Sequence, residues 1–248
     1  LKKGPQIIGG TPGRTNDLIR RKKLIIGNID RLILDEADEM LSMGFKEDLE
    51  AIIQQTPKKK QILLFSATMT QKVVGVTKKY MKNSLELAVA RVNRAADNVE
   101  HIYYVVKPRD RYEVVKRIAD MNPDIYGIVF CRTRRETKDI AIKLMNDHYN
   151  ADTIHGDLSQ SERDDVMRRF RKGQLQILVA TDVAARGLDV EDLTHVINYN
   201  LPDDDEIYIH RSGRTGRAGK KGVSIAIING RNMRKLKDIE RTSKISFK

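Results

Sequence analysis

Short runs of aliphatic residues alternate along the chain with segments whose apolar residues recur at helical spacing. Uninterrupted aliphatic runs are typical of strands buried on both faces, and their alternation with helices predicts parallel α/β sheets. The segments predicted to be strands are Gln6–Gly9, Leu32–Leu34, Ile62–Phe65, Leu85–Ala90, Ile102–Val106, Ile125–Phe130, Asp152–Ile154, Ile177–Ala180, Val196–Asn198 and Val223–Ile228.

Apolar residues three and four positions apart predict helices in both halves of the chain. The sets are Leu49, Ile52 and Ile53; Val73, Val76 and Tyr80; Ile140, Ala141, Leu144 and Met145; and Val166, Met167 and Phe170. The last helix has a defined start, because Ser159 and Glu162 have capping-box spacing, and Gly173 suits its end. Gln160 and Arg163 therefore lie in its first turn.

Residues 91–98 lie between two α/β series and show no hydrophobic period. We interpret them as a linker, which divides the chain into residues 1–90 and residues 99–248. The 248 residues are enough for one large or two modest domains, and at 40% hydrophobic composition they can form a core.

The formal net charge of +12 favours a polyanion as partner, most often nucleic acid, although a basic protein without such a partner is the alternative. Residues 1–96 hold 18 Lys and Arg against 10 Asp and Glu, and residues 97–248 hold 28 against 24. The single cysteine, Cys131, excludes an internal disulfide and fits a reducing compartment, so we expect a cytoplasmic protein. No secretory signal is visible.

The predicted strand Leu32–Leu34 runs into the four residues Asp35-Glu36-Ala37-Asp38. Ligands of open α/β sheets bind off the carboxyl ends of strands, so these acids suit Mg²⁺ beside a nucleotide phosphate. Asp35 would hold the metal through water, because Mg²⁺ keeps several waters, and Glu36 would polarise the attacking water as a general base. The alternative is an acidic helix N-terminus, where Asp and Glu are favoured in any case.

Further motifs occupy most of the remaining chain in a definite order. They are Gly9-Gly10, Thr11-Pro12-Gly13-Arg14, Ser66-Ala67-Thr68, Ile128–Cys131, His155-Gly156-Asp157, Gln160 with Arg163, Ala180–Asp189 and His210–Arg217. Together with Asp35–Asp38 they resemble the DEAD-box family of superfamily 2 RNA helicases. The resemblance implies an α/β fold of two tandem RecA-like domains, each a parallel sheet flanked by helices.

The resemblance also implies roles for individual residues. Catalytic residues are Asp35, Glu36, Arg214 and Arg217, with both arginines on the γ-phosphate of ATP. Residues that couple the ATP and RNA sites are Asp38, Ser66, Thr68, Arg186, His210 and Arg211. Nucleotide-binding residues are Gly187 and Asp189. RNA-binding residues are Gly10, Thr11, Pro12, Gly13, Arg14, Gly156, Asp157, Gln160, Arg163 and Thr181.

Each motif has a plainer interpretation when it is taken alone. Thr11–Arg14 is then a turn before a helix, Ser66–Thr68 a polar strand-to-helix junction, and Arg214–Arg217 a solvated basic loop. The order of all the motifs together favours the helicase interpretation.

A phosphate-binding loop of the form Gly-x-x-x-x-Gly-Lys-Ser/Thr does not occur in the 248 residues, since Gly216–Lys221 ends in Gly-Lys-Lys. In the family this loop precedes the segment that Gly9 begins. We therefore expect the second half of the first RecA-like domain and all of the second, with apolar faces of the first left exposed. The polypeptide by itself is expected not to turn over ATP.

The resemblance implies a function for the parent protein, with ATP and Mg²⁺ as cofactors. It would unwind or remodel RNA duplexes locally by ATP-driven closure of its two domains. The few aromatic residues favour recognition of the RNA backbone with little sequence preference. Ile239–Thr242 resembles the end of the core in bacterial cold-shock and ribosome-assembly members, which points to ribosomal or pre-ribosomal RNA.

Two other functions stay open at this point. One is a non-hydrolysing RNA-binding or annealing module, and the other is a DNA-directed helicase of the same superfamily. The sequence leaves the oligomeric state undetermined.

Overall fold

The computed structural model describes residues 5–88, 98–185, 190, 193–217 and 219–248. The chain divides into two compact units, Leu1–Val92 and Asn93–Lys248, called unit 1 and unit 2 below. Each unit is described by itself. Most of the predicted linker lies outside the described residues, so its bounds stay a prediction.

Unit 1 contains a parallel pair of strands with helices packed on one face. Its elements are α1 (Pro12–Arg20), β1 (Arg31–Leu34), α2 (Ala37–Ser42), α3 (Lys46–Gln55), β2 (Gln61–Leu64) and α4 (Gln71–Tyr80). Strands β1 and β2 pair in register from Arg31 opposite Gln61 to Leu34 opposite Leu64. The predicted helical faces are confirmed, because Leu49, Ile52 and Ile53 of α3 and Val73 and Val76 of α4 are buried.

Two predicted strands of unit 1 are wrong. Gln6–Gly9 forms no strand, and neither do the described residues of Leu85–Ala90. Ile7 is 91% exposed and Leu85 is 82% exposed, so these apolar runs pack against no sheet. A strand needs a neighbour for its backbone donors and acceptors as well as an apolar run, and sequence period reports only the run.

The other face of the unit 1 strand pair is exposed. Ile33 is 57% exposed and Phe65 is 55% exposed, although both belong to aliphatic runs. This agrees with the expectation of uncovered apolar surface in the first part of the chain.

Unit 2 contains a six-stranded parallel sheet with helices on both faces. Its elements are β3 (Val99–Val105), α5 (Arg111–Met121), β4 (Gly127–Phe130), α6 (Arg134–Asn146), β5 (Ala151–Ile154), α7 (Gln160–Arg171), β6 (Ile177–Ala180), α8 (Asp182–Ala185), β7 (His195–Asn198), α9 (Asp205–Ser212), β8 (Gly222–Ile228) and α10 (Met233–Ser243). The strand order is β3-β8-β7-β4-β6-β5. The parallel α/β class predicted from the alternating pattern is confirmed.

The central strands of unit 2 are buried on both faces. Val129 and Ile197 pack with Val115 of α5 and Leu144 of α6. On the opposite face, Ile128 and other residues of β4, β6 and β7 pack with Phe170 of α7. Helices α9 and α10 extend this layer, where Tyr208, Leu236 and Ile239 form a further cluster with β8.

Local signals in unit 2 agree with the sequence. Ser159 and Glu162 form the predicted capping box at the start of α7. Gly173 follows the helix at φ +70°, a conformation that glycine adopts without steric cost. Among the described residues, no helix is long and apolar enough to cross a membrane.

Candidate functional site

Both sheets are parallel, so the segments that follow their strands gather at one edge of each sheet. In unit 1, Asp35 follows β1 and Ser66 lies two residues after the end of β2. In unit 2, His155 follows β5 and Thr181 follows β6. Ligands of open α/β sheets bind at this carboxyl edge.

Asp35 and Glu36 are exposed at the carboxyl end of β1. The Asp35 Oδ1 atom accepts a hydrogen bond from the Glu36 backbone N–H at 3.0 Å. Glu36 adopts φ 51° and ψ 48°, a left-handed conformation that turns the chain from strand to helix α2. Both carboxylates are therefore open to solvent and to a ligand.

Asp38 is buried and holds the Ser66–Thr68 segment. Its Oδ2 atom accepts hydrogen bonds from the Thr68 backbone N–H at 2.8 Å and from the Thr68 hydroxyl at 2.6 Å. Ser66 Oγ accepts a hydrogen bond from the Asp38 N–H at 3.2 Å and donates one to the Thr68 carbonyl at 2.7 Å. The segments after β1 and β2 are thus joined by one polar cluster, which we call the Asp38 cluster.

Thr11–Arg14 forms the start of α1. Thr11 is the N-cap residue at φ −72° and ψ 151°, its side chain makes no capping hydrogen bond, and Pro12 stands in the first turn. Arg14 is exposed and pairs with Asp17 at 3.1 Å. Gly10 lies close to this start, since a Cβ there would be 2.8 Å from Thr15 Oγ1. A helix N-terminus with a nearby cation suits an anion.

The loop after β5 carries a charged cluster that the sequence did not indicate. The Asp157 carboxylate accepts hydrogen bonds from Arg134 and from Lys138, the latter at 3.2 Å. These two bonds hold the pKa of Asp157 below its usual value. Gly156 lies beside this cluster, with Arg134 Cδ 3.9 Å from the position of a Cβ.

Gln160 and Arg163 occupy the first turn of α7, as predicted. The Arg163 guanidinium donates a hydrogen bond to the Ala184 carbonyl at 2.6 Å, at the end of α8. Gln160 donates a hydrogen bond to Asp164 at 2.8 Å. Thr181 is buried and its hydroxyl accepts a bond from the Ala184 N–H at 3.4 Å. Arg163 therefore joins the segments after β5 and β6.

Arg211 lies in the interior of unit 2. Its guanidinium forms a bidentate pair with Asp182 at 2.6 and 2.7 Å, and it donates to Asn198 Oδ1 at 2.9 Å and to the Asn200 carbonyl at 2.7 Å. It also lies 4.8 Å from the centre of the Phe130 ring. We call this arrangement the Arg211 cluster. It locks the segments after β6 and β7 onto α9.

Arg211, for which the sequence predicts a coupling role, is buried, with only 3% of the residue exposed. Asp182 and Asn198 are the residues of this cluster that sequence reasoning missed. Asp182 stands inside the motif Ala180–Asp189, but nothing in the spacing indicates its partner, because the pair is 29 positions apart.

The other arginines lie where α9 ends. Arg217 is exposed, and its Nε atom donates to the Gly213 carbonyl at 2.6 Å. Gly216 makes the turn at φ +68°, and a Cβ there would be 2.6 Å from Val99, so only glycine fits. His210 and Arg214 are partly buried near the same turn. Arg186, Gly187 and Asp189 lie outside the described residues.

Metal binding by a protein-only cage finds no support in unit 1 or unit 2. Within the described ranges, no group of three or more His, Cys, Asp or Glu residues is placed to hold a metal. The exposed Asp35 carboxylate instead fits a hard cation that keeps its waters and phosphate ligands.

Two family models match the chain. One, described as DEAD/DEAH box helicase, matches residues 1–76, and the other, described as Helicase conserved C-terminal domain, matches residues 110–219. The DEAD-box ATP-dependent RNA helicase CshA of Bacillus cereus (strain ATCC 10987) is 45% identical over 98% of this chain and 46% of that protein. The chain spans about half the length of the curated relatives it matches.

Solved structures give the same family. Dbp5 of S. cerevisiae bound to RNA and ADP BeF3 matches with a TM-score of 0.88 and 34% identity, over 100% of this chain and 67% of that chain. A DEAD box protein from the hyperthermophile Methanococcus jannaschii matches with a TM-score of 0.59 and 49% identity, over 96% of this chain and 64% of that chain. The chain belongs to the DEAD-box family of RNA helicases, and its fold is RecA-like.

Proposed function

We propose that the protein is an ATP-dependent RNA helicase that locally unwinds or remodels RNA duplexes by ATP-driven closure of two RecA-like domains. The observation that carries the proposal is the Asp38 cluster. It joins the acidic segment, where phosphate chemistry would occur, to the segment after β2. A hydrogen-bond network of this kind can carry coupling between ATP hydrolysis and RNA binding.

The charged residues of the motifs have the types that phosphoryl transfer uses: a general base, cations for the phosphate and a ligand for Mg²⁺. Glu36 would accept a proton from the attacking water, and Arg214 and Arg217 would stabilise the negative charge that develops on the γ-phosphate. Asp35 would hold Mg²⁺ through water. When bound, this ion neutralises charge on the phosphates. Gly187 and Asp189 would bind the nucleotide, and Arg186 and His210 would support coupling.

RNA would lie along the carboxyl edges of the sheets, bound by its backbone. In unit 1 the proposed contacts come from the start of α1, namely Gly10, Thr11, Pro12, Gly13 and Arg14. In unit 2 they come from Gly156, Asp157, Gln160, Arg163 and Thr181. Contacts to phosphate and sugar carry little sequence information, which suits a helicase that acts on varied duplexes. Ribosomal or pre-ribosomal RNA in the cytoplasm is the proposed target.

The test is RNA-stimulated phosphate release by the protein expressed from its complete reading frame. We expect Glu36→Gln to lower the rate at least about 100-fold, the usual contribution of a general base. Ser42→Ala, an exposed change on the following helix, is the matched control and leaves the rate unchanged. Equal rates for the Glu36 variant and the wild type, or equal stimulation by duplex DNA, would contradict the proposal.

A second measurement concerns the polypeptide of residues 1–248. Because it contains no Gly-x-x-x-x-Gly-Lys-Ser/Thr loop, we expect RNA binding without turnover of ATP. ATP turnover faster than that of the Glu36→Gln form of the same polypeptide would show that residues other than such a loop bind the ATP phosphates.

A further inference from the structure

The outward face of α10 is a row of cationic side chains. Leu236 and Ile239 of this helix are buried against unit 2. Of the exposed residues between positions 231 and 244, all but Thr242 are cationic. Arg234, Lys237 and Arg241 lie on α10, Arg231 lies two residues before it, and Lys244 directly follows it. We call these five residues the α10 stripe.

The stripe accounts for the positive charge of unit 2. Residues 97–230 hold 21 Lys and Arg against 22 Asp and Glu, whereas residues 231–248 hold seven against two. The excess noted for residues 97–248 therefore comes from the last 18 residues of the chain. Clustered charge of one sign raises the local concentration of an oppositely charged ligand.

The cations of the stripe are available to a ligand. Arg241 pairs with Asp238 at 3.3 Å, but its side chain is 82% exposed, and such a surface pair contributes at most about 1 kcal/mol. In the part of the chain that the structure describes, no ion pair joins Arg231, Arg234, Lys237 or Lys244 to an acidic side chain. Lys235, on the flank of the helix, is the cation that binds Asp205.

The geometry of the stripe suits an extended polyanion. It covers residues 231 to 244, which at 1.5 Å per residue is about 20 Å. Its members follow one another three or four positions apart, so like charges are neighbours on one helix face and repel each other. A row of phosphates along this face would remove that repulsion.

We propose that the α10 stripe is a second RNA-binding surface, which binds the phosphate backbone of RNA beyond the segment held at the carboxyl edge. This proposal rests on the proposed function. Helix α10 follows β8, and β8 is separated from β6 by β7 and β4. At strand spacings of about 4.8 Å, this is about 14 Å across the sheet from Thr181 at the end of β6. The stripe would thus lengthen the RNA footprint.

Other polyanions fit less well. An interfacial helix inserts its apolar face into the membrane, but Leu236 and Ile239 pack with Tyr208 and Phe247 instead. A protein partner is usually anchored by a buried aromatic or apolar contact, and the stripe offers none. Without aromatic side chains for base stacking, binding should be independent of sequence and strongly dependent on salt.

The experiment compares two triple variants of the 248-residue polypeptide that remove the same charge. R234Q/K237Q/R241Q removes the centre of the stripe, and glutamine retains helix propensity. K58Q/K59Q/K172Q is the control, because these exposed lysines lie before β2 and after α7, away from the carboxyl edges. Fluorescence anisotropy would measure binding of single-stranded and duplex RNA of one sequence between 50 and 200 mM salt, about the range over which phosphate contacts weaken.

We expect the stripe variant to bind RNA about tenfold more weakly or worse, and the slope of log K against log salt to fall by about two to three. The control should retain wild-type affinity and slope. If the stripe variant loses more affinity for duplex RNA than for single-stranded RNA, or the reverse, the form with the larger loss is the one that the stripe binds. Equal affinities and slopes for the two variants would overturn the proposal, as would wild-type binding of poly-glutamate as tight as that of RNA.

A single variant, Lys237→Glu, guards against misfolding of the triple variant. It should lower the salt slope by about one and leave the circular dichroism spectrum unchanged. Failure of the proposed function would appear separately, as absent RNA-stimulated phosphate release by the protein expressed from its complete reading frame. Failure of the stripe would appear as unchanged anisotropy in all variants.

Discussion

In each unit an aspartate carboxylate joins the motif segments by accepting hydrogen bonds. The two units differ in the groups that donate those hydrogen bonds and so compensate the negative charge. In unit 1, Asp38 accepts hydrogen bonds from the backbone and hydroxyl of Thr68. In unit 2, Asp182 faces the full opposite charge of Arg211, which also binds Asn198. The Asp38 cluster therefore uses neutral backbone and hydroxyl donors, whereas the Arg211 cluster uses an ion pair between a buried arginine and a partly buried aspartate.

The difference shows what each cluster can tolerate. Loss of the Thr68 hydroxyl leaves the Asp38 carboxylate with hydrogen bonds from the Thr68 and Glu39 backbone N–H groups. Loss of the Arg211 guanidinium leaves Asp182, Asn198 and the Asn200 carbonyl without four hydrogen bonds at once. We therefore expect unit 2 to be the more sensitive to a single substitution at its cluster.

The largest expected effect is that of Arg211→Ala. It should destabilise unit 2 by about 3–5 kcal/mol, because it removes four hydrogen bonds of a buried guanidinium and leaves the partly buried Asp182 carboxylate without its partner. Hydrogen exchange of the β4 and β7 amides would measure the loss. Arg217→Ala removes an exposed arginine from the same loop and should change stability by less than about 0.5 kcal/mol. Similar exchange rates in the two variants would refute the buried role of Arg211.

The second effect is a difference between the two units in how their stability depends on pH. All five histidines follow residue 100, and burial lowers the pKa of His101 to about 4. The unfolded chain, with a His pKa near about 6.5, then binds more protons than the folded chain between these values. The contribution of neutral His101 to the free energy of unfolding of unit 2 is fully present above about pH 6.5. This free energy should fall by about 3 kcal/mol as the pH drops to about 4.

Hydrogen exchange at pH 7 and pH 5 would test this for β3, which contains His101, and for β8, which pairs with β3. Burial also lowers the pKa of His155 and His195, so both act in the same direction. The variant His101→Gln should flatten the pH dependence in unit 2. An equal slope for the β1 and β2 amides of unit 1, which has no histidine, would count against the assignment.

The third effect probes the Asp38 cluster. Thr68→Val keeps the shape of the side chain and removes one hydroxyl donor to a charged acceptor, which should cost about 1.5–3 kcal/mol. Thr77→Val is the control, because the Thr77 hydroxyl donates only to the Val74 carbonyl within α4. Urea unfolding followed by circular dichroism would compare the two. A loss for Thr68→Val no larger than that for Thr77→Val would show that the cluster contributes little.

The smallest effect concerns the two helices that begin at the proposed RNA edge. Ser159→Ala removes the capping box of α7 and should cost about 1 kcal/mol. Thr11→Ala at the start of α1 should cost almost nothing, because the Thr11 side chain makes no capping bond. Thermal unfolding would compare the two variants. A larger loss of stability in Thr11→Ala than in Ser159→Ala would contradict the assignment of a capping box to α7 and not to α1.

The sequence predicted most of the fold because the strands of unit 2 are buried on both faces and bounded by clear caps. It failed at Gln6–Gly9 and at residues 85–88, the described part of the predicted strand Leu85–Ala90, where an apolar run meets no neighbouring strand. Period and propensity describe a segment, while pairing depends on what the rest of the fold places beside it.

The sequence predicted those parts of the candidate site that lie directly after strands, because the motifs mark where the strands end. Asp38 with Ser66 and Thr68 could be expected to meet, since their strands are adjacent and parallel. Lys138 beside Asp157 and Asn198 beside Arg211 could not, because these contacts depend on helix rotation and side-chain reach. The functional roles themselves stay predictions until the variants are measured.

The left-handed backbone at Glu36 has a consequence for engineering. Glycine adopts φ 51° without the steric cost that a glutamate bears, so Glu36→Gly should make the chain more stable by up to about 1 kcal/mol while removing the proposed base. A screen for thermal tolerance alone would therefore select against the carboxylate. Under the proposed function this position trades stability for reactivity, so stability design of the chain should leave Glu36 fixed.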